Sequence, residues 1–563
     1  MAVVAAVGLV PQMASPAVPD LSWLLYVAGR LLDGARLNLD VVEINPPLIV
    51  WLNVPPALVA RFLGVPDIQV YRAAVALAAI LSLWFVARLL RREDPARGTL
   101  DRRLLLLLLA VVLFVLPLAD FGQREHLLLI ATLPYIVVAA ARANRRAIPR
   151  SAAAVVGLAA GLGLALKPYF LLLPLLLEAW LAARRSVRPV RPETVAAAGV
   201  LLVYAGAVLV FGGDYLSLAR ALGAEYVGYL RDPLLLTALA GQGAGIPLLA
   251  LLAALALRGR GRRGAVDTAM LLATLALYAS AVLQQKGWRY YFYPAMATGL
   301  VSLAIQVGRA RGVPLSLAGR IYAAAAMAAL AFVPVRAAAD GLRELARPRL
   351  ARFAADPDLP ALAQAVRAAA PGGSLWALSI NMASSFPLVR EVGGSWTSRL
   401  PGLWLLESLY RDQLAGQAPL AFRASEEQPP AERYLNRVVV EDLRRGRPEL
   451  ILELRPAPDR FEWGTRRLDY VAYFSRDPAF AREFASYRPI ADVGQYRIYR
   501  RDAAGAGADR APPSGSGTLA SPLRPLGAGV HVAPLGPADL LRALAFLAIF
   551  AVAFRALRRE RLG

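Results

Sequence analysis

The chain has 563 residues, of which 57% are hydrophobic, and it carries a formal net charge of +23 with a mean hydropathy of +0.48. This composition excludes an ordinary soluble protein and predicts a polytopic α-helical membrane protein. The arginines are grouped between apolar runs, as in cytoplasmic loops, so the charge indicates membrane topology and not a nucleic-acid partner. Because the chain contains no cysteine, disulfides and thiolate metal sites are also excluded.

The first apolar run, residues 1–18, is predicted to be a retained span, and an acidic stretch follows it. Helical spacing continues from Asp20 to about Gly34, and a second helix is predicted to begin after Asn45 as its cap. We expect these helices, within residues 20–64, to lie on the outer membrane surface. Their polar side chains would then form one charged mouth, which is typical of a functional site; they are Asp20, Asp40, Glu43 and Asn45. The alternative is that they are only helix caps and solvated loop charges.

A span needs about 20 mostly apolar residues, and about twelve runs of the chain meet this rule. They are residues 1–18, 68–90, 102–119, 126–142, 152–167, 168–184, 194–211, 245–258, 265–284, 291–308, 318–335 and 538–556. If both ends of the chain lie in the cytoplasm, the Arg-rich loops between the predicted spans also lie in the cytoplasm. The sequence therefore predicts a transmembrane module at 1–335 and a C-terminal transmembrane helix with a basic tail at 538–563.

One long polar segment interrupts the apolar runs between residues 336 and 537. Helical patterns alternate with short apolar strands as far as residue 501, and the sequence RPIADVGQYRIYR is typical of a hairpin. We therefore expect a small periplasmic α/β domain at 336–501 that includes parallel crossovers. Residues 502–537 are rich in Gly, Ala, Pro and Ser, which predicts a flexible linker.

Two lysines, Lys167 and Lys286, are distinctive because every other basic residue is an arginine. Both are predicted on the outer face, where membrane topology disfavours basic residues. An ammonium at a helix end is a natural phosphate partner, and Arg289, close after Lys286, adds a guanidinium fork. The alternatives are chance placement and snorkelling to the lipid interface.

The stretch DFGQREH brings Arg124, Glu125 and His126 to the same predicted face. A histidine beside a carboxylate can bind metal or relay a proton. However, one histidine without HxH or HExxH spacing is a weak metal signal, and ion pairing of Arg124 and Glu125 is the simpler interpretation. The sequence also lacks a Gly-rich phosphate loop, a GxSxG elbow and paired CxxC motifs. The usual chemistries of soluble enzymes are therefore unsupported.

The order of these features resembles the GT-C superfamily of membrane glycosyltransferases, in particular its aminoarabinose transferase and protein O-mannosyltransferase branch. The matching elements are Asp20 after the first span, the element EINPP, Glu125, Lys167 before a proline, and RYYFYP from Arg289. EINPP departs from the acid-Lys-Pro or acid-His-Pro element of the relatives. The resemblance covers about the first 330 residues.

The resemblance implies a polyprenyl-phosphate-linked sugar as donor and a glycan, lipid or protein as acceptor. It also implies a multi-pass protein of the bacterial cytoplasmic membrane whose active site faces the periplasm. A carboxylate must take the proton of the attacking hydroxyl, a role that falls to Asp20. The phosphate-binding cations are Lys167, Lys286 and Arg289. The side chains expected to orient substrate or a cation are Asp40, Glu43, Asn45, Arg124, Glu125 and His126. No cofactor is assigned, and a divalent cation is left open.

Two other functions stay open at this point. A transporter or flippase of lipid-linked sugars would use the charges of the mouth as a pathway. A transporter would place ionisable residues deeper in its spans. In this sequence, however, the centres of the predicted spans are almost free of charge. A non-catalytic membrane receptor would sense a ligand through its outer domain and leave the carboxylates without a chemical role.

Overall fold

The computed structural model describes residues 1–93, 99–184, 190–257, 263–310, 314–354, 356–415, 420–456 and 468–502. Beyond Asp502, the predicted linker at 502–537 and the predicted helix at 538–563 lie outside the described residues. Both therefore stay predictions.

Helices dominate the described chain as far as residue 345. They are α1 (Ala2–Ala14), α2 (Pro19–Leu32), α3 (Leu48–Leu63), α4 (Asp67–Glu93), α5 (Thr99–Ala110), α6 (Arg124–Ala143), α7 (Arg150–Leu164), α8 (Leu172–Ala183), α9 (Pro192–Phe211), α10 (Gly213–Gly228), α11 (Leu234–Ala240), α12 (Gly245–Ala256), α13 (Ala265–Leu283), α14 (Arg289–Ala310) and α15 (Leu317–Leu345). Helix α2 has a proline in its first turn, and Gly34 just beyond its end adopts φ +88°. Helix α3 stops at Gly64, whose φ of +66° is a left-handed C-cap.

The chain is a polytopic membrane protein. Among the described residues, five helices are long and apolar enough to cross a bilayer, or up to seven spans exist if each of two bent pairs counts as one. The bent pairs are α1 with α2, at 68°, and α11 with α12, at 80°. The predicted count of twelve spans is not confirmed. Two of the predicted runs form the helices α7 and α8, of 15 and 12 residues, which are short of the roughly 20 residues that a bilayer core requires.

Helices α6 and α13 form the centre of the helical part. In each, 83% of the apolar window is buried inside the protein, whereas α9 buries only 6% of its window. Helix α13 packs against α6, α8 and α14. An apolar helix that buries so little against protein presents its side chains to lipid, so α9 lies at the periphery of the bundle.

The two ends of the central helices carry different charges. At one end α6 and α14 begin and α7 and α13 finish, and we call this end the site face. At the opposite end Arg142 of α6 pairs with Glu193 of α9 at 2.9 Å, and Arg309 of α14 pairs with Asp267 of α13 at 2.6 Å. The Arg-rich stretches of the sequence adjoin helix ends on that opposite side, as expected of cytoplasmic loops.

A small α/β domain forms the last part of the described chain. Helix α15 continues to Leu345, so the predicted boundary at 335/336 falls inside a helix. The elements that follow are α16 (Leu359–Ala369), β1 (Ser374–Leu378), α17 (Leu388–Glu391), β2 (Ser395–Trp396), α18 (Trp404–Leu409), α19 (Arg411–Ala415), α20 (Pro430–Gly446), β3 (Leu450–Leu454), α21 (Tyr470–Phe474), α22 (Pro478–Phe484), β4 (Tyr487–Val493) and β5 (Tyr496–Arg501).

The sheet of this domain has the strand order β2-β1-β3-β5-β4. Strand β1 is parallel to β2 and to β3, and α20 lies in the crossover that leads to β3. Strand β5 is antiparallel to β3, with Leu452 opposite Ile498, and forms with β4 the hairpin that the sequence predicts, turning at Gly494 with φ +56°. Every residue of β3 is buried, as expected of a central strand. The periplasmic location of the domain stays a prediction.

The α/β domain lies against the segments that adjoin the site face. The backbone N–H of Val42, in the loop after α2, donates to the carbonyl of Arg399 at 2.8 Å. The backbone N–H of Leu230, just after α10, donates to the carboxylate of Glu407 at 3.2 Å. The hydroxyl of Ser408 donates to Glu225 of α10 at 2.7 Å. Helix α18 therefore forms one wall beside the site face.

Candidate functional site

Glu43 is the buried carboxylate of the loop between α2 and α3. It accepts hydrogen bonds from the indole N–H of Trp23 at 2.8 Å and from the backbone N–H of Asn45 at 2.8 Å. Burial raises the pKa of Glu43 above its ordinary value, while the Asn45 N–H groups and the charge of Arg124 act in the opposite direction. The loop thus fixes both oxygens of Glu43.

Asn45 links this loop to two helices. Its side-chain oxygen accepts hydrogen bonds from the guanidinium of Arg124, at the start of α6, and from the hydroxyl of Tyr226 on α10, the latter at 2.9 Å. Asn45 does not cap α3, because the N-cap position is Pro47. Arg124 is buried, and its Nε has no hydrogen-bond partner among the described residues.

Lys167 occupies the turn between α7 and the short helical segment that precedes α8. Its ammonium donates to Glu125 of α6 and to the side-chain oxygen of Gln284, the latter at 3.0 Å, and lies 4.2 Å from the ring centroid of Tyr291. Burial lowers the pKa of Lys167 to about 7, against the opposing effect of Glu125. The second carboxylate oxygen of Glu125 has no partner within the described part of the chain.

Lys286 is a buried cation that forms no ion pair with a carboxylate of the described residues. Its ammonium donates to the carbonyl of Tyr226 at 3.3 Å. The rings of Tyr226, Tyr229 and Trp288 surround it with centroids at 4.6, 5.3 and 5.5 Å. Burial lowers the pKa of Lys286 to about 8, and the positive charge of Arg124 lowers it further. An ammonium has three donors, so Lys286 retains donor capacity for a ligand.

The loop that carries Lys286 is fastened on both sides. Asp232 accepts a hydrogen bond from the backbone N–H of Gly287 at 3.0 Å, and the backbone N–H of Asp232 donates to the carbonyl of Gln285 at 2.7 Å. Gln285 adopts φ +51°, a left-handed conformation that costs a residue with a side chain free energy. The surrounding hydrogen bonds hold this conformation and so fix the position of Lys286.

Arg289 is bound within the protein. Its guanidinium pairs with Asp120 and donates to the carbonyls of Pro117, at 3.0 Å, and Leu116. Burial raises the pKa of Asp120 to about 6, although the charge of Arg289 lowers it. Because these partners already engage the guanidinium, Arg289 has less donor capacity for a substrate phosphate than Lys286 has.

Asp20 lies in the first turn of α2 and is half-buried. Its carboxylate forms no hydrogen bond or ion pair with the described residues. Burial lowers the pKa of Lys286 and raises the pKa of Tyr226, and the negative charge of Asp20 acts on both groups, so Asp20 lies at the same mouth. It acts electrostatically on Glu43, Asp120, Arg124, Tyr226, Tyr229, Lys286 and Tyr290.

Two side chains assigned to the site from the sequence are engaged elsewhere. Asp40 accepts hydrogen bonds from the backbone N–H and the guanidinium of Arg36 within its own loop, at 2.9 and 3.3 Å. His126 is fully buried; its Nδ1 accepts from the backbone N–H of Gly122 at 3.0 Å, so its Nε2 donates to the carbonyl of Leu113 at 2.9 Å. Since local contacts engage both side chains, we leave them out of the site proposed below.

Within the described part of the chain, no group of three or more His, Asp or Glu side chains is arranged to hold a metal ion. The carboxylates at the mouth are instead fixed by N–H donors and cations, as with Glu43 and Glu125.

Sequence reasoning missed several residues of this arrangement. Tyr226 bridges Asn45 and Lys286 through hydrogen bonds. Gln284, like Glu125, accepts a hydrogen bond from the ammonium of Lys167. Trp404 of α18 packs edge-on against Tyr226, with ring centroids 5.6 Å apart. No spacing motif in the sequence marks a single tyrosine as a bridging residue. Trp404 reaches the site only through the tertiary fold.

Comparison with known proteins gives structural matches only. No protein-family model and no curated protein matches the sequence. ArnT from Cupriavidus metallidurans bound to undecaprenyl phosphate matches with a TM-score of 0.49 and 14% identity, over 90% of this chain and 98% of that one. Arabinofuranosyltransferase AftD from Mycobacteria matches with a TM-score of 0.42 and 17% identity, over 89% of this chain and 40% of that one.

Proposed function

We propose that the protein is an inverting glycosyltransferase that moves a sugar from a polyprenyl-phosphate donor to an acceptor hydroxyl. The observation that carries the proposal is the pair of uncompensated charges at one mouth. Asp20 is a half-buried carboxylate and Lys286 a buried ammonium, and neither forms an ion pair within the described residues, although Asp20 acts electrostatically on Lys286. A buried charge without a partner is costly unless a ligand supplies one.

Each charge matches one requirement of the reaction. The Asp20 carboxylate accepts the proton of the acceptor hydroxyl as its oxygen attacks the anomeric carbon. The bond between that carbon and the phosphate oxygen breaks, and its electron pair stays on the phosphate. The Lys286 ammonium stabilises the negative charge that develops there. One displacement of this kind inverts the anomeric centre and needs no covalent intermediate.

The surrounding network holds these groups in place. Asn45 joins Glu43, Arg124 and Tyr226, so that the loop after α2, helix α6 and helix α10 are fixed relative to one another. Lys167 and Glu125 form a second, internally paired charge centre. Four polar side chains then orient the sugar and the acceptor; they are Glu43, Asn45, Arg124 and Glu125. Lys167 adds positive charge for the phosphate. Arg289 contributes less positive charge, because it is paired with Asp120.

The proposal of a polyprenyl donor rests on the GT-C resemblance of the sequence. The proposed side of the membrane rests on the difference in charge between the two ends of the helices. The site face lies opposite the helix ends that adjoin the Arg-rich stretches, which supports an outward-facing site in the cytoplasmic membrane of a bacterium. The lipid tail of the donor would remain in the bilayer while its phosphate reaches Lys286.

The test is a transfer assay on the full-length protein in lipid nanodiscs. A radiolabelled polyprenyl-phosphate sugar and a panel of glycan, lipid and peptide acceptors are supplied, and the anomeric configuration of the product is determined by NMR. The proposal expects a glycosidic product of inverted configuration. A retained configuration would contradict the single displacement.

A second assay distinguishes a transporter from an enzyme. The same labelled donor is supplied to the protein in sealed proteoliposomes. If label crosses the bilayer without any glycosidic product, the enzyme proposal is wrong and transport replaces it. Binding of donor with neither product nor movement would favour a receptor.

A further inference from the structure

A cavity of about 390 Å³ lies where the end of α10 meets α18 and α19 of the α/β domain. The residues that line it are Gly228, Ser408, Leu409, Tyr410, Arg411, Asp412, Gln413 and Arg423. It neighbours the Lys286 site, because Tyr226 and Tyr229 flank Gly228 in the chain and both rings contact the Lys286 ammonium. The α/β domain thus supplies most of a concave surface beside the proposed donor site.

Arg411 is the distinctive residue of this cavity. Its guanidinium forms no hydrogen bond and no ion pair with the described residues, and its Nη2 is buried without a partner there. A methyl group added at Gly228 would stand 3.5 Å from that Nη2, so the guanidinium reaches the end of α10. A guanidinium has five donors in a planar fork that matches carboxylate and phosphate oxygens. Arg411 is half-buried, and leaving its buried Nη2 unpaired is costly unless a ligand engages it.

Within the described residues none of the other charges around the cavity forms an ion pair with Arg411, although its guanidinium acts electrostatically on Glu407 and the carboxylate of Glu225 accepts a hydrogen bond from Ser408 at 2.7 Å. Arg423 pairs with the buried carboxylate of Glu432 at 3.0 Å and is neutralised by it. Glu407 is engaged by the backbone N–H of Leu230 at 3.2 Å, and Asp412 is exposed. Burial is the main cause of the lowered pKa of Lys286, and the positive charge of Arg411 lowers this pKa further.

We propose that this cavity is a second anion-binding subsite, in which the guanidinium of Arg411 takes an acidic group, a carboxylate or a phosphate monoester, of the acceptor. The assignment to an acceptor rests on the proposed function, because the donor phosphate is already matched by Lys286. An acidic group bound at Arg411 would hold the acceptor by the α/β domain while its hydroxyl extends toward Asp20.

The first test uses inorganic phosphate as probe, titrated into the full-length protein in detergent and followed by calorimetry. The wild-type protein is expected to bind two phosphates per chain. Arg411→Gln should weaken one of them by about tenfold or more, since a charged hydrogen-bonding group is lost, whereas Arg411→Lys should retain part of the affinity. Asp412→Asn should tighten the same site by about two- to fivefold, because it removes an exposed like charge.

The variants separate this proposal from the donor site. Lys286→Gln should remove the other phosphate and leave the Arg411 subsite intact. If Lys286→Gln has no effect while Arg411→Gln does, the proposed donor site fails and the subsite stands. If Arg411→Gln and Asp412→Asn both leave phosphate binding unchanged in folded protein, the subsite is wrong.

A second arm distinguishes the sources of the acidic group. D-Glucuronate, a sugar carboxylate, and D-glucose, its uncharged counterpart, are titrated in the same way as inorganic phosphate. Binding of phosphate and glucuronate but not glucose, lost in Arg411→Gln, supports a general anion subsite. Binding of phosphate alone restricts the subsite to phosphate monoesters. Equal binding of glucose and glucuronate would contradict recognition by charge.

Discussion

Protonation of Lys286 governs its proposed contact with the donor phosphate. Burial lowers the pKa of Lys286 from 10.5 to about 8, so the ammonium loses its proton just above neutral pH. We expect the half-saturating donor concentration to rise as the pH increases from about 7.5 to 9.5, because the neutral amine no longer attracts the phosphate. Steady-state titration of the donor across this range measures the effect.

Lys286→Arg provides the control for this dependence. Arginine stays charged throughout the range, so the rise in half-saturation should be smaller in this variant. An identical pH profile in both proteins would show that Lys286 does not bind the donor. The stability of the folded protein should also increase with pH between about pH 8 and 10. In this range Lys286 is protonated in the unfolded chain but has lost its proton in the folded protein, so the unfolded chain binds more protons.

The ion pair of Lys167 and Glu125 gives a prediction about stability. Both side chains are buried, with 7% and 1% exposure, so removal of one partner leaves an uncompensated charge. We expect Glu125→Gln to destabilise the protein by about 3 to 5 kcal/mol at a pH below about 6, where Lys167, with its pKa of about 7, is protonated. The double variant Glu125→Gln with Lys167→Met, which removes both charges, should recover a large part of that loss. Thermal unfolding in detergent compares the three proteins, and a double variant no more stable than the single one would contradict the pairing.

Sequence reasoning at the scale of residues predicted which side chains lie at one face of the membrane, but it did not predict their contacts. Asp20, Lys167 and Lys286 were predicted at one face because each lies at a helix end, and the order of spans decides which ends share a face. Asp40 and His126 were assigned to the site on the same ground. Their partners, Arg36 and the backbone of Gly122 and Leu113, are set by local loop geometry, which spacing in the sequence does not specify.

The loop between α13 and α14 is the element that places Lys286. A side chain at Gly287 would put its Cβ 2.9 Å from the Asp232 carboxylate oxygen, so Gly287→Ala should displace either the loop or Asp232. We expect the half-saturating donor concentration to rise by about three- to tenfold, as a misplaced cation loses part of a charged hydrogen bond. Gly264→Ala, at the other end of α13 with nothing within 4 Å of the added methyl, is the matched control. Equal donor binding in the two variants would mean that this loop does not position the lysine.

The helices were predicted more accurately than the spans. Patterns of apolar residues marked α2, α3 and the hairpin within a few residues, because capping glycines, prolines and alternation are local signals. The number of spans depends on which short apolar helices cross the bilayer, and a count of apolar residues does not predict that two apolar stretches are bent by 68° and 80°. The continuation of α15 to Leu345 was missed for a related reason, since the predicted boundary followed polarity and the helix continues through polar residues.

For the molecule as a whole, the absence of cysteine makes orientation measurable. Arg488, in β4 of the α/β domain, is exposed, and Arg150, at the start of α7 on the end opposite the site face, is exposed as well. Single variants Arg488→Cys and Arg150→Cys can be treated in intact spheroplasts with a membrane-impermeant thiol reagent. We expect labelling of Arg488→Cys at once and of Arg150→Cys only after permeabilisation. The reverse pattern would place the site face in the cytoplasm.

The most direct measurement of the central claim is the steady-state kinetics of sugar transfer in Asp20→Asn beside Asp33→Asn. Asp33 lies just beyond the end of the same helix and pairs with Arg61 at the surface at 2.9 Å, so its substitution controls for the loss of a carboxylate near the mouth. If Asp20 is the base, its variant should lose about 10²- to 10⁴-fold in kcat with little change in donor half-saturation, and Asp33→Asn should transfer sugar at the wild-type rate. Undiminished turnover in Asp20→Asn would contradict the assignment of the base and the mechanism built on it.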